Sequence, residues 1–169
     1  MKTLLLARHA KSDWGDKNFS DFDRPLNEVG KLDAPTMALY LQQCGYLIHQ
    51  IISSDAARAL ETAEEYKNCL TPDKNLITHH DLYLASADTI VDIVSRISPS
   101  HNSVMIIGHN PGMSDALNYL CKDNNFNDMS SCGVGIVQFE VSSWQDIAEG
   151  SGDVLGFESP KTIKNRIDR

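Results

Sequence analysis

Apolar and polar positions along the chain switch between two periods. Short continuous apolar runs alternate with stretches in which apolar residues recur at helical spacing. The first run, Thr3-Leu4-Leu5-Leu6-Ala7, predicts a strand over 2–8. Residues 9–25 are polar and rich in Asp, Ser and Gly, and they read as a long loop. A loop of that length inside a compact domain is usually functional or mobile. Asn27 is placed to cap a helix over 28–43, with Leu32, Met37, Leu39, Tyr40 and Leu41 among its apolar positions. Pro35 falls within that window and weakens the case for an unbroken helix, and Gly45 stops it.

Further on, Ile48-His49-Gln50-Ile51-Ile52 reads as a strand, and Asp55 as the cap of a helix over 56–69. Residues 75–79 carry a weaker strand pattern. Ile90, Val91, Ile93, Val94 and Ile97 share helical spacing within 87–97. Ser103-Val104-Met105-Ile106-Ile107 is β-branched, continuous and apolar on both faces. Pro111 suits the first position of a helix over 111–121, with Asn110 as its cap. Val134–Val141 and Asp153–Glu158 predict a late antiparallel hairpin.

Alternating strands and helices with doubly apolar strands imply a mostly parallel sheet covered on both faces. The expected fold is α/β, a three-layer α/β/α sandwich. Residues 1–159 form a single domain in this reading. Residues 160–169, with Lys161, Lys164, Arg166 and Arg169, form a polar tail or short helix.

Composition narrows the function. A chain of 169 residues, 41% hydrophobic and 22% charged, can bury a core without disulfides or a structural metal. The net charge of −8 argues against nucleic acid as a partner, since phosphate-backbone binding needs a basic face. Cys44, Cys69, Cys121 and Cys132 form no CxxC pair and no zinc spacing, so they read as reduced apolar residues. No signal sequence or membrane-spanning run is evident, and a cytoplasmic location is expected.

Three predicted strand ends carry chemistry. The first ends in Arg8-His9-Ala10, the second leads into Arg58-Ala59-Leu60-Glu61-Thr62-Ala63, and the fourth ends in Gly108-His109-Asn110-Pro111. Ligands of open α/β sheets bind beyond the carboxyl ends of the strands. Two arginines and two histidines there suit phosphoryl transfer. Guanidinium forks bind phosphate oxygens, and a neutral imidazole can attack phosphorus. Helix N-termini after Asp55 and Asn110 would favour the anion, and nothing in the scheme calls for a metal or another cofactor.

In this order the motifs resemble those of the histidine phosphatase superfamily, whose fold is called phosphoglycerate-mutase-like. They are similar to its short, SixA-type phosphohistidine phosphatase branch. Asp21-x-Asp23-Arg24-Pro25-Leu26-x-x-x-Gly30 resembles the segment before the first helix in that branch. The resemblance implies that His9 is the phosphorylated nucleophile and that Arg8, Arg58 and His109 hold the phosphoryl group. Arg24 would add a further phosphate contact. Asn110 counts with the substrate-binding residues as the one that shapes the turn.

The chain departs from the wider family in two places. Ala10 replaces a glycine. The glutamate that serves many members as general acid has no obvious counterpart, and Asp81 is the nearest candidate. A phosphoester needs its leaving alkoxide protonated, whereas a phosphohistidine loses an imidazole and needs less help. The expected activity is therefore a metal-independent phosphatase that forms phosphohistidine at His9 and acts on phosphohistidine in a protein, releasing inorganic phosphate. The alternatives are a phosphatase of a small phosphorylated metabolite and a non-catalytic phosphate-binding module.

Blander readings stay open for several residues. Arg24 could be a surface arginine paired with Asp21 or Asp23. Thr62 could back-bond to its helix. Trp14 and Phe19 could cover the site or anchor the loop. Asp13, Asp16, Asp21 and Asp23 read as a solvated rim. His79-His80-Asp81 lacks a second ligand cluster for a metal.

Overall fold

The first strand, β1 (Lys2–Arg8), lies in the middle of the molecule because both its faces are apolar. Leu4 and Leu6 point into one hydrophobic core, Leu5 and Ala7 into another, and all four are fully buried. The computed structural model describes residues 1–123 and 125–167. Arg169, part of the expected basic tail, lies outside them.

The remaining strands are β2 (Gln50–Ser53), β3 (Ile77–Thr78), β4 (Ser103–Gly108), β5 (Val134–Phe139) and β6 (Asp153–Glu158). They form a six-stranded sheet in the order β3-β2-β4-β1-β5-β6. The pairs β3–β2, β2–β4 and β4–β1 are parallel, while β5 runs antiparallel to β1 and to β6. This is the expected mostly parallel sheet with a late hairpin. The β1–β4 register sets Arg8 opposite Gly108, so the two strands end level and present their following residues side by side.

Among the described residues five helices cover the sheet: α1 (Glu28–Gln43), α2 (Ala57–Leu70), α3 (Ala87–Ser95), α4 (Gly112–Leu120) and α5 (Pro160–Ile167). Helices α1, α2 and α5 pack on the face of Leu5, Met105 and Ile107. Helices α3 and α4 pack on the face of Leu4, Val104 and Ile106. The three-layer sandwich is thus built from period-two alternation in the central strands.

Several local expectations are corrected. Helix α1 is unbroken through Pro35, and its buried stripe runs through Gly30, Ala34, Met37, Ala38 and Leu41. Leu32 and Leu39 are exposed instead. Small residues let α1 lie close to its neighbours, most sharply at Gly30, where a Cβ would fall 2.1 Å from the Lys11 carbonyl oxygen. Asp55 does not cap α2, which starts after Ala56 with no side-chain cap; its carboxylate meets His80 Nδ1 at 2.9 Å. Asn110 does not cap α4 either, because Pro111 intervenes. Of the two readings of the terminus, residues 160–167 take the helical one, docked through Ile163, which is buried.

Candidate active site

His9 follows β1 directly and its backbone is pinned from both sides. Its N–H donates to the Gly108 carbonyl (3.1 Å), and its own carbonyl accepts from Cys132 N–H (3.0 Å). Arg8 N–H donates to the Gly133 carbonyl (3.0 Å). Cys132 takes a positive φ of 60°, an uncommon geometry for a residue with a Cβ, and holds it next to the site. The nucleophile candidate therefore stands on the most buried part of the sheet.

The ring of His9 has a defined tautomer. Its Nδ1–H donates to the Ala10 carbonyl at 2.7 Å, which leaves the lone pair on Nε2. Arg58 Nε–H donates to that Nε2 at 3.2 Å. Burial pushes the His9 pKa down to about 4; the Ala10 carbonyl opposes this, while Arg58, Arg8 and Arg24 push the same way. A neutral imidazole with an oriented lone pair is what nucleophilic attack requires.

His109 follows β4, and its ring centroid lies 5.2 Å from that of His9. Its Nε2 meets Ser54 Oγ at 2.8 Å. That oxygen also accepts from Ala56 N–H; where the Ser54 hydroxyl donates to Nε2, the single ring proton of His109 sits on Nδ1. Burial, with help from His9 and Arg58, lowers the His109 pKa to about 3.

These residues line one cavity of about 500 Å³, together with Lys11, Ser12, Trp14, Asp21, Arg24, Asn27, Leu84, Asn110 and Ser131. Three buried nitrogens on its walls have no hydrogen-bond partner among the described residues: Arg8 Nε and Arg24 Nε, both obligate donors, and His109 Nδ1. A buried donor without a partner is costly, and two guanidinium donors around one cavity mark a place where an anion completes the structure.

The loop after β1 supplies the rest of the wall. Asp21 accepts from Arg24 Nη2 (2.9 Å), Arg58 Nη2 (3.1 Å) and the Tyr83 hydroxyl (2.5 Å). The Tyr83 hydroxyl and the two guanidiniums hold its carboxyl well below the usual carboxylate range. Arg58 Nη1 also donates to the Asp21 carbonyl at 2.6 Å. Arg24 reaches the Ser12 hydroxyl as well, and its guanidinium carbon lies 3.6 Å from the centroid of the Trp14 ring. Trp14 lines the cavity yet remains 79% exposed, and Phe19 does not line it.

The structure thus brings together Arg8, His9, Arg24, Arg58, His109 and Asn110. Arg24 does both things the sequence left open, since it pairs with Asp21 and faces the cavity. Asn110 Nδ2 donates to the Met129 carbonyl (2.9 Å), where Arg8 Nη1 also donates (2.8 Å), so it braces the turn. Thr62 accepts from Ala10 N–H (3.0 Å) and donates to the Arg58 carbonyl (2.7 Å), tying the residue after His9 to α2.

Asp81 is not brought to the cavity. It sits in the 3-10 turn His80–Leu82, its side chain is 73% exposed, and its nearest charged partner is His79 Nδ1 at 3.9 Å. Sequence reasoning placed Asp21 on a solvated rim and missed its role. Its spacing of three from Arg24, and its place at the head of the segment Asp21-x-Asp23-Arg24-Pro25-Leu26, were the available signals. Among the described residues no group of three or more His, Cys, Asp or Glu side chains is arranged to hold a metal ion. No helix there is long and apolar enough to cross a membrane.

Comparison with known proteins agrees with this geometry. The pattern of the histidine phosphatase superfamily (branch 1) matches residues 4–82. An uncharacterised chloroplastic protein of Arabidopsis thaliana is 30% identical over 160 residues, covering 89% of this chain and 72% of that protein. The structure of the protein histidine phosphatase SixA complexed with tungstate superposes with a TM-score of 0.82 at 20% identity, covering 95% of this chain and 99% of that one. A mycobacterial glucosyl-3-phosphoglycerate phosphatase superposes with a TM-score of 0.70 at 16% identity, covering 91% and 97%.

Proposed function

The chain belongs to the histidine phosphatase superfamily, and on that footing we propose that it hydrolyses phosphohistidine on a protein through a covalent intermediate at His9. Family and fold support a phosphatase acting on a phosphorylated substrate and releasing phosphate. The finer reading rests on one observation. Asp21 is the only carboxylate lining the cavity among the described residues, and Tyr83 and two guanidiniums keep it ionised. A carboxylate held so cannot act as a general acid at neutral pH.

In the proposed reaction the Nε2 lone pair of His9 attacks phosphorus. The P–N bond to the substrate imidazole breaks, and the leaving ring keeps its electron pair and takes a proton from water. Arg8, Arg24 and Arg58, with His109 Nδ1–H, bear on the equatorial oxygens, where charge lies in a loose transition state. Water then attacks the phosphorylated His9, the new P–N bond breaks, and inorganic phosphate leaves with Nε2 restored. An alkoxide leaving group would call for a general acid, and among the described residues no protonated carboxyl lines this cavity.

The test is turnover of a phosphohistidine-bearing protein against a panel of phosphoesters, with chelator present. The expected result is release of phosphate from the first, an acid-labile phosphoenzyme, and loss of both in His9→Ala. A preference for esters would overturn the leaving-group argument. The likeness to a metabolite phosphatase favours the second reading, a small phosphorylated substrate, and the same panel decides between them.

A further inference from the structure

Beside the catalytic cavity lies a second one of about 390 Å³, and the two share Lys11 and Ser131 as lining residues. The second cavity is also lined by Ser130, Val29 and Asp33, and by Pro160, Lys161, Lys164 and Asn165 of α5. We propose that this groove docks an acidic segment of the phosphorylated protein, running out from the phosphoryl site past Lys11 to Lys161 and Lys164. The proposal rests on the phosphatase reading above and names the kind of partner that the site takes.

The lysines are presented, not incidental to a loose tail. Ile163, in the same turn of α5, is only 2% exposed and seats the helix on the core. Arg166 is engaged elsewhere, on Glu158 at 2.7 Å and on the Tyr40 hydroxyl. Lys161 and Lys164, three apart, share a face of the helix, and both line the groove. Their ammonium groups stand on flexible exposed stems, suited to a partner that arrives in several arrangements.

Charge makes the groove stand out. Among the described residues Lys11 and Lys161 have no carboxylate within 4.0 Å, and Lys164 has only Asp33 at 3.9 Å. Among the described residues Asp33 is the one carboxylate lining the groove, against three lysines. The chain as a whole carries −8. Such a protein repels acidic partners at long range, so an acidic partner would need a local basic track to be held. The groove supplies that track at the mouth of the catalytic cavity. A phosphoryl group alone would use neither α5 nor the second cavity.

The experiment uses two synthetic peptides, each with one phosphohistidine, flanked by aspartates in one and by serines in the other. Phosphoramidate serves as the substrate without a flank. Wild type should turn over the acidic peptide with the higher kcat/KM. The double variant Lys161→Glu/Lys164→Glu should lose about tenfold on that peptide, through KM. Its activity on the serine peptide and on phosphoramidate should be unchanged, and added salt should shrink the wild-type preference. Equal wild-type rates on both peptides, or equal losses on both in the variant, would overturn the groove and leave the phosphatase reading intact. With a small bisphosphate added to the substrate set, a loss in the variant confined to that substrate would reassign the groove to metabolite binding and also overturn the proposal. If phosphoesters turn over and neither peptide nor phosphoramidate does, the phosphatase reading itself fails and the groove falls with it.

Discussion

The cavity has two halves made of different material. The half at the ends of β1 and β4 carries Arg8, His9 and His109 on backbone held by ladder bonds and buried beneath two layers of helices. The half on the loop after β1 carries Asp21, Arg24 and Trp14. Its neck is closed by one antiparallel bridge, Ser12 to Leu26, made by Asp13 N–H donating to the Pro25 carbonyl (2.9 Å) and Asn27 N–H to the Lys11 carbonyl (3.0 Å). Its cavity-facing side chains are held largely by charge pairs with one another. His9 is 7% exposed and Trp14 79%. In the proposed reaction the first half is preorganised for attack, and the second is held by contacts that an incoming phosphate can compete with.

Arg58 is the seam, with Nε on His9 and both Nη atoms on Asp21. Among substitutions that spare the nucleophile, breaking this seam should have the largest effect. Arg58→Lys keeps the charge but loses the fork that spans the halves. It should lower kcat/KM on phosphohistidine by about 10²–10³-fold, the scale for losing a donor to transition-state charge. Steady-state kinetics checks this, and a loss under fivefold would show that the halves work independently.

Next comes Asp21→Asn, which leaves the strand-end half untouched. An asparagine side chain keeps the shape but turns amide hydrogens toward two guanidiniums, so both arginines should lose their fixed direction. A hydrogen bond to a charged group contributes about 1.5–3 kcal/mol, which implies a loss of about 10- to 100-fold in kcat/KM. Inhibition by inorganic phosphate should weaken with it. Tighter phosphate inhibition in the variant would mean that Asp21 competes with substrate more than it positions the clamp.

These two halves were unequally legible in the sequence. A strand end is a place that hydrophobic patterning can locate, so Arg8-His9 and Gly108-His109 could be set side by side before any coordinates. Arg58 followed because helix starts after parallel strands share that edge. Asp21 has no such address. Its meaning depends on Arg58 and Tyr83 arriving from distant parts of the chain, and no local pattern encodes that. The same limit explains α1. Leu32 and Leu39 looked like its core, but close packing selects Ala34 and Ala38, and only the neighbours reveal how close α1 must lie. Asp55 is a good cap by residue type, yet His80 arrives to pair with it.

A smaller effect separates the halves by pH. Burial lowers His9 to about 4 and His109 to about 3, from an ordinary value of 6.5. Both groups fold in the neutral form. Their contribution to stability is complete above about pH 6.5 and is lost as pH falls from there toward 4, while the unfolded chain takes up protons that the native state refuses. The urea midpoint should therefore fall across that window, and His109→Asn should flatten the fall. The acid limb of kcat/KM, which reports the free enzyme, should lie near 4 rather than 6.5. An acid limb near 6.5 would place His9 in a far wetter setting than the sheet end provides.

The smallest expected effect belongs to Asp81→Asn, and it tests the leaving-group argument from the side of the loop. Asp81 sits two residues before Tyr83, whose hydroxyl donates to Asp21, so the segment reaches the site through Tyr83 while the Asp81 carboxylate stays in solvent. Changing an exposed carboxylate with no close partner should alter kcat/KM by less than about twofold on phosphohistidine and on phosphoesters alike. Tyr83→Phe, which removes the donor to Asp21, should cost more on both. The order of the two matters because each reading of the site gives a different one. If Asp81 were the acid, Asp81→Asn would cost most and only on esters, and the His80–Leu82 turn would have to swing its carboxylate into the cavity during the reaction. If Asp21 is held ionised by its three donors, Tyr83→Phe costs more and the substrate class makes little difference. Measuring both variants on both substrate classes therefore decides whether this loop contributes an acid or only a fixed negative charge.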